Sequence, residues 1–298
     1  MRFVFQFPET GGLVDDMLQT GSPAEVALHA EQAGFDAISF TEHPAPSARW
    51  LESGGHQSLD PFVALAAAGA VTSTIRLMTN LTVAPYRNPM LLAKSAATLD
   101  RLSGGRVILG MGVGYLKSEY VSLGVDFEER NVLFDEALAV LPLHWSGEPF
   151  SFEGTHFSAR EVVALPKPTQ QPIPIWIGGN SNLSRRRVVN SAHGWMPMLG
   201  PASLSTAVRT KNIETLEELA PIVAETRAKA AEVGRPDAID ICCTYDLNVQ
   251  TGTNAEQHRE QIAAYEKAGV TWMVVSCAST SQEQSFAFLD WFGADVLS

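Results

Sequence analysis

Short apolar segments alternate with helix-like segments eight times along this chain of 298 residues. Several helical segments begin with a capping residue followed by proline, as in Ser22-Pro23, Asp60-Pro61 and Asn88-Pro89. Eight strands that alternate with helices are typical of a (β/α)8 TIM barrel rather than of an open sheet. The predicted strands cover residues 2–7, 36–41, 75–84, 106–111, 173–177, 193–198, 239–249 and 271–277.

The alternation is interrupted once, between Tyr115 and Gln171. A helix is predicted there over 131–145, followed by short strand-like pieces as far as Val163. No linker-like tract divides the chain, and 45% of its residues are apolar, which is enough for a large core. We therefore expect a single α/β domain over residues 1–298, with an excursion between strands four and five.

The net charge of −12 disfavours binding to nucleic acid or to anionic membrane surfaces. The densest basic cluster is Arg185-Arg186-Arg187, which a solvated helix face would also explain. Cys242, Cys243 and Cys277 are odd in number and lack C-x-x-C spacing, which indicates reduced core residues. The N-terminus has no cleavable signal pattern and no apolar run is long enough to span a membrane, so we expect a cytoplasmic protein.

The sequence lacks the residue patterns that several classes of enzyme require. The lysines fall in predicted helices or loops rather than at strand ends, which disfavours a Schiff-base aldolase. The histidines show neither H-x-H nor H-E-x-x-H spacing, so no metal site is predicted. There is also no G-x-S-x-G elbow and no P-loop.

Barrel enzymes place their active sites at the carboxyl ends of the strands. Strand two ends there in Glu42 and His43, and we expect His43 to transfer a proton, with Glu42 as the neighbouring carboxylate that orients it. Strand four ends in Gly110, Gly112 and Gly114, where either a packed neighbour or a ligand comes close to the backbone. Strand five ends in Gly178, Gly179 and Asn180 before a helix, which predicts a phosphate site, although a plain tight turn is the alternative.

Three stretches together resemble the luciferase-like flavin and deazaflavin oxidoreductases: the spacing over 61–77, YRNPMLLAKSAATLDRLSGGRVILGMGVGYLKSEY over 86–120, and PIPIWIGGNS over 172–181. The match looks closest to the branch that uses coenzyme F420. The resemblance implies a non-prolyl cis peptide between Asn80 and Leu81, a homodimer, and contact of Glu42 and His43 with cofactor and substrate. The expected cofactor-binding residues are Asn80, Leu81, Gly112, Gly114, Ser118, Ile177, Gly178, Gly179, Asn180 and Met198.

The function expected from this resemblance is hydride transfer between F420 and a small organic substrate. The alternatives are an FMN-dependent monooxygenase, supplied with reduced flavin by a separate reductase, and a non-catalytic flavin-binding protein. F420 ends in an acidic oligoglutamate tail, for which Arg185 to Arg187, Arg49 and Lys211 are the candidate partners. Some relatives carry glutamate where this chain has Tyr115, so Tyr115 either supplies a proton or walls the pocket. The loops over 45–57 and 199–211 carry no motif that identifies the substrate.

Overall fold

A closed parallel sheet forms the centre of the computed structural model, which describes residues 1–9, 14–235, 239–245 and 249–298. The order β3-β2-β1-β11-β10-β9-β8-β5-β4 closes because β3 also pairs with β5, as in a (β/α)8 barrel. The barrel strands are β1 (Arg2–Gln6), β2 (Ala37–Phe40), β3 (Arg76–Thr79), β4 (Thr82–Val83), β5 (Val107–Gly112), β8 (Ile175–Gly178), β9 (Gly194–Met196), β10 (Asp240–Thr244) and β11 (Trp272–Val275).

The third predicted strand is divided into β3 and β4 by Asn80 and Leu81. The peptide bond between these two residues is cis, as the resemblance implied. Both pieces still pair with β5, through Leu77 with Val107 and Thr82 with Met111. The seventh predicted strand was longer than β10, and its residues 246–248 lie outside the described part of the chain.

Helices connect the strands and surround the barrel. The Ser22 and Asn88 caps predicted from the sequence accept hydrogen bonds from the first turns of their helices, as does Asp60. The helices are α1 (Pro23–Gln32), α2 (Ala48–Glu52), α3 (Pro61–Val71), α4 (Pro89–Ser103), α5 (Lys117–Ser122), α6 (Arg130–Trp145), α7 (Asn182–Ser191), α8 (Ala202–Ala207), α9 (Leu216–Glu232), α10 (Ala255–Lys267) and α11 (Gln282–Trp291).

The excursion between the fourth and fifth barrel strands contains α5, α6 and an antiparallel hairpin. The hairpin consists of β6 (Phe150–Glu153) and β7 (Ser158–Val162). Its turn is held by the Glu136 carboxylate of α6, which accepts the backbone N–H groups of Thr155 at 2.8 Å and Phe157 at 3.0 Å. A carboxylate that accepts several backbone donors fixes the hairpin turn to α6.

Apolar side chains fill the barrel on both sides of its wall. The interior contains Met78, Ile108, Trp176 and Trp272, while a larger core lies between the strands and the helices. The three cysteines are free and buried, and burial raises the pKa of Cys243 and of Cys277 to about 12. No helix in the described ranges is both long and apolar enough to cross a membrane.

Candidate active site

Two histidines and two glutamates meet at the carboxyl end of the barrel. His43 Nδ1 lies 3.1 Å from Glu119 Oε2, and His56 Nδ1 lies 3.4 Å from Glu9 Oε2. The two imidazole rings are 5.2 Å apart between centroids. We call these four residues the His–Glu cluster. His43 is hydrogen-bonded to its carboxylate, whereas His56 Nδ1 also lies 3.0 Å from Gln57 O. A histidine held by a buried carboxylate is an arrangement that supports proton transfer.

Glu119 fixes one side of the His–Glu cluster. It lies in the first turn of α5, and its side chain is 0% exposed. Besides His43, it accepts the Tyr86 hydroxyl at 2.8 Å and the Ala45 backbone N–H at 3.2 Å. Burial and the Glu119 charge raise the pKa of Tyr86 far above its ordinary value, so this phenol stays a donor.

Glu42 does not orient His43, contrary to the sequence-based expectation. Its buried carboxylate instead accepts the Thr82 hydroxyl at 2.8 Å and the Val83 backbone N–H at 2.6 Å, and it pairs with Arg87. Glu42 therefore connects the end of β2 to β4. The carboxylate that orients His43 is Glu119 rather than Glu42, its neighbour in sequence.

Glu9 fixes the other side of the His–Glu cluster. Its Oε1 accepts Gln6 Nε2 at 2.7 Å, the Thr41 backbone N–H at 3.2 Å and the Thr41 hydroxyl. Burial raises the pKa of Glu9, although His56 and the Thr41 donors oppose that effect. Gln6 also accepts Asn80 Nδ2 at 2.8 Å, so the cis-peptide segment and the cluster share one hydrogen-bond network.

Aromatic side chains enclose His43. The Trp50 ring centroid lies 4.6 Å from that of His43, and the Tyr115 centroid lies 5.9 Å away. Burial, followed by the Glu119 charge, raises the pKa of Tyr115 to about 12. Tyr115 therefore keeps its phenolic proton at neutral pH and lies against the His43 ring.

Leu81 forms an apolar floor between the ends of β5 and β8. A Cβ placed on Gly112 would lie 3.0 Å from Leu81 Cδ1, and one placed on Gly178 would lie 2.5 Å from the same atom. The close neighbour expected at Gly112 is thus the Leu81 side chain, whereas a Cβ on Gly110 would meet Thr79 O at 2.1 Å. Gly114 has φ of +67°, which suits glycine where the chain leaves β5.

The Gly178-Gly179-Asn180 turn already uses the donors that the sequence offered to a phosphate. Gly179 N–H binds Met196 O at 3.2 Å, and Asn180 N–H binds Thr210 Oγ1 at 2.8 Å. The buried Asn180 side chain bonds to both N and O of Met198. An anion here would reach the backbone N–H groups of Asn182 and Leu183, in the first turn of α7, because they have no partner within the helix.

Of the remaining predicted residues, Ser118 is half-buried in α5. Ile177 is buried in β8, but its side chain packs in the core between the strands and the helices rather than at the barrel mouth, contrary to the expectation that it contacts the cofactor. Of the arginine cluster, Arg185 pairs with Glu225 at 2.9 Å and buried Arg187 pairs with Asp135 at 2.6 Å. These two arginines hold the helix layer together rather than facing a cofactor.

Sequence reasoning missed several residues of this site. Glu9 follows the first strand closely, so the rule of strand ends that selected Glu42 and His43 would also have selected it. Glu119 follows the glycine-rich end of strand four, but nothing in its local sequence indicates a contact with His43. Trp50 lies in α2 and His56 in the loop after it, within the predicted loop over 45–57 that carries no recognisable motif. Only the folded chain brings their rings next to His43.

Comparison with known proteins gives a family. A model described as luciferase-like monooxygenase matches residues 3–285. An F420-dependent glucose-6-phosphate dehydrogenase of Microbacterium testaceum (strain StLB037) is 28% identical over 312 residues, covering 90% of each chain. An F420-dependent secondary alcohol dehydrogenase, solved in complex with an F420–acetone adduct, superposes with a TM-score of 0.76 at 19% identity over 99% of this chain and 98% of that one. Monooxygenase RslO1 from Streptomyces bottropensis gives 0.75 at 22% identity, over 100% and 99%.

Proposed function

Because the chain belongs to the luciferase-like monooxygenase family, we propose that it is an F420-dependent oxidoreductase that moves hydride between the deazaflavin and a small organic substrate. The observation that carries this proposal is His43, held by buried Glu119 in an aromatic pocket beside the Leu81 floor. The F420-dependent relative from Microbacterium testaceum, which covers 90% of both chains, supports F420 as the cofactor.

The residues of the pocket fit a flat cofactor ring. Leu81 offers an apolar surface. The ends of β5 and β8 carry glycines at positions where a side chain would collide with Leu81. Asn80, Gly112, Gly114 and Ser118 would surround the ring. The first turn of α7, which follows Gly178, Gly179 and Asn180, would receive the phosphate, and the backbone of Met198 holds the Asn180 side chain in this turn. When bound, the deazaflavin supplies a carbon centre that gives or accepts hydride.

The chain itself handles the proton that accompanies hydride transfer. His43 Nδ1 faces Glu119, which leaves Nε2 as the atom that exchanges a proton with a substrate hydroxyl or carbonyl oxygen. Glu119 keeps the ring in one orientation, while Trp50 and Tyr115 keep water away from it. His56 and Glu9 form a second ion pair beside His43, and the His56 side chain is 24% exposed.

Titration of the apoprotein with each cofactor tests the proposal. We expect F420 to bind with a change in its fluorescence and FMN to bind weakly or not at all. Tight FMN binding without a response to F420 would overturn the proposal in favour of a monooxygenase that receives reduced flavin from a separate reductase. Cofactor binding without turnover of any alcohol or carbonyl compound tried would favour a non-catalytic binding protein.

The homodimer that the resemblance implied stays a prediction. The outward face of α3 supports it because this face is entirely apolar, with Val63 70% exposed and Val71 45% exposed. The exposed residues between them are Ala66, Ala67 and Ala70. Sedimentation of the purified chain would measure its mass in solution.

A further inference from the structure

Three cationic side chains surround one buried aromatic ring at the rim of the barrel. The Phe127 ring centroid lies 3.9 Å from Arg130 Cζ, 4.9 Å from Lys117 Nζ and 5.4 Å from Arg209 Cζ. These distances suit cation–π contacts, which hold the cations together against their mutual repulsion. We call Lys117, Arg130 and Arg209 the Phe127 cations.

We propose that the Phe127 cations bind the chain of carboxylates that forms the oligoglutamate tail of the deazaflavin. The proposal rests on the proposed function. Of the partners expected from sequence, Arg185 and Arg187 are committed to Glu225 and Asp135, while Arg49, Arg186 and Lys211 are exposed. A row of cations at the surface is what a flexible polyanion needs, because its affinity comes from charge rather than from shape.

The cluster lies beside the turn where the cofactor phosphate is expected. Arg209 directly precedes Thr210, whose hydroxyl accepts the Asn180 backbone N–H at 2.8 Å. On the other side, Phe127 packs on Tyr120 at 5.2 Å between ring centroids. Tyr120 in turn adjoins Gly114, where a built Cβ would lie 3.3 Å from its ring. A tail that leaves the α7 N-terminus on this side therefore passes Arg209 and the other Phe127 cations.

The backbone at Arg209 gives independent support. Its N–H bonds to Thr206 O at 3.2 Å and that of Thr210 to Ser205 O at 2.9 Å, which is the hydrogen-bond pattern of a Schellman motif after α8. Arg209 has φ of +55°, in the left-handed region where glycine is favoured at this position. An exposed arginine thus stands where glycine would cost the fold less.

Glu128 is the internal competitor for a tail. Its carboxylate lies 3.0 Å from Lys117 Nζ and 3.6 Å from Arg130 Nη1, and its side chain is 67% exposed. Arg209 has no carboxylate partner among the residues that the structure describes. A bound tail would contact Arg209 directly and displace the exposed Glu128 from the other two cations.

The test compares F420 that carries several glutamates with the same deazaflavin lacking glutamates, by fluorescence titration. We expect Arg209→Gly to weaken binding of the tailed form about two- to fivefold at low salt, the usual value of one exposed charge pair, with tail-free binding unchanged. Glu128→Gln should strengthen tailed binding, and both effects should shrink as salt is added. Arg209→Gly should unfold at an equal or higher urea concentration, because glycine suits the backbone there.

Arg101→Ala is the matched control, since it removes an exposed cation at the opposite end of the barrel, in the last turn of α4. Equal affinities of the native chain for the tailed and tail-free forms would overturn the proposal, and so would equal effects of Arg209→Gly and Arg101→Ala. If neither form of the deazaflavin binds while FMN does, the proposed function itself fails.

Discussion

The His43 ring takes its orientation from a carboxylate 76 positions further along the chain rather than from Glu42 beside it. At the level of single residues, the two glutamates have different tasks. Glu42 neutralises Arg87 and accepts the donors of β4, whereas Glu119 offers its charge to the imidazole and to Tyr86. Loss of Glu42 would therefore first affect the fold, and loss of His43 would first affect the chemistry.

We expect His43→Ala to lower turnover by about a hundredfold or more, the usual effect of losing a positioned acid or base. Affinity for the cofactor should change little, because the cofactor ring is expected to pack against Leu81 and the strand ends rather than against His43. Steady-state kinetics and fluorescence titration of the same preparation measure the two quantities. His156→Ala is the control, since this histidine pairs with Glu129 beside the hairpin. A parallel loss of affinity and turnover would assign His43 a structural role.

At the level of elements, the ends of β5 and β8 are shaped around one side chain that follows the cis peptide. Gly178 and Gly112 both lie against Leu81 Cδ1. The two glycines thus leave the space that the Leu81 side chain occupies. This coupling between neighbouring strands can be measured without knowing the substrate.

Gly178→Ala should lower the free energy of unfolding by about 1–3 kcal/mol, because its Cβ would lie 2.5 Å from Leu81 Cδ1. Gly112→Ala should cost less, since its Cβ would lie 3.0 Å from that atom. Urea unfolding of Gly178→Ala, Leu81→Ala and the double variant gives the coupling. If the two substitutions have additive effects on the free energy of unfolding, within about 0.5 kcal/mol, then position 178 and Leu81 are not coupled and the predicted collision does not occur.

At the level of the whole molecule, stability should depend on pH through Glu9. Burial raises the pKa of Glu9 above its ordinary value of 4.5, so the folded chain binds this proton more tightly than the unfolded chain does. Its contribution to stability is complete below that ordinary value and is lost as the pH rises through the raised pKa. Above that range, the free energy of unfolding is lower, because the Glu9 carboxylate is charged in a largely buried place.

Glu9→Gln removes this titration but keeps a side-chain oxygen for the Gln6 and Thr41 donors. We expect the stability of the variant relative to the native chain to increase as the pH rises from about 4 to about 7. Urea unfolding at a series of pH values measures the difference. A difference that stays constant over this range would contradict the raised pKa.

Local sequence was sufficient for the elements of this protein. Strand cores are runs of apolar residues, helix starts are caps such as Ser22 and Asn88, and both depend on neighbours in the chain. Their eightfold alternation led to the barrel, and the resemblance led to the cis peptide at Asn80. His43 was found as a strand-end residue for the same local reason.

Only the tertiary structure decided which charges meet. Closure of the barrel places the loops after β1, β2 and β5 at one end, and the packing of α5 brings Glu119 to His43 while β4 takes Glu42. The same packing commits Arg185 and Arg187 to the helix layer and brings Arg209 to Phe127. Charge pairing depends on distances of a few ångströms between residues far apart in sequence, and no local propensity specifies those distances.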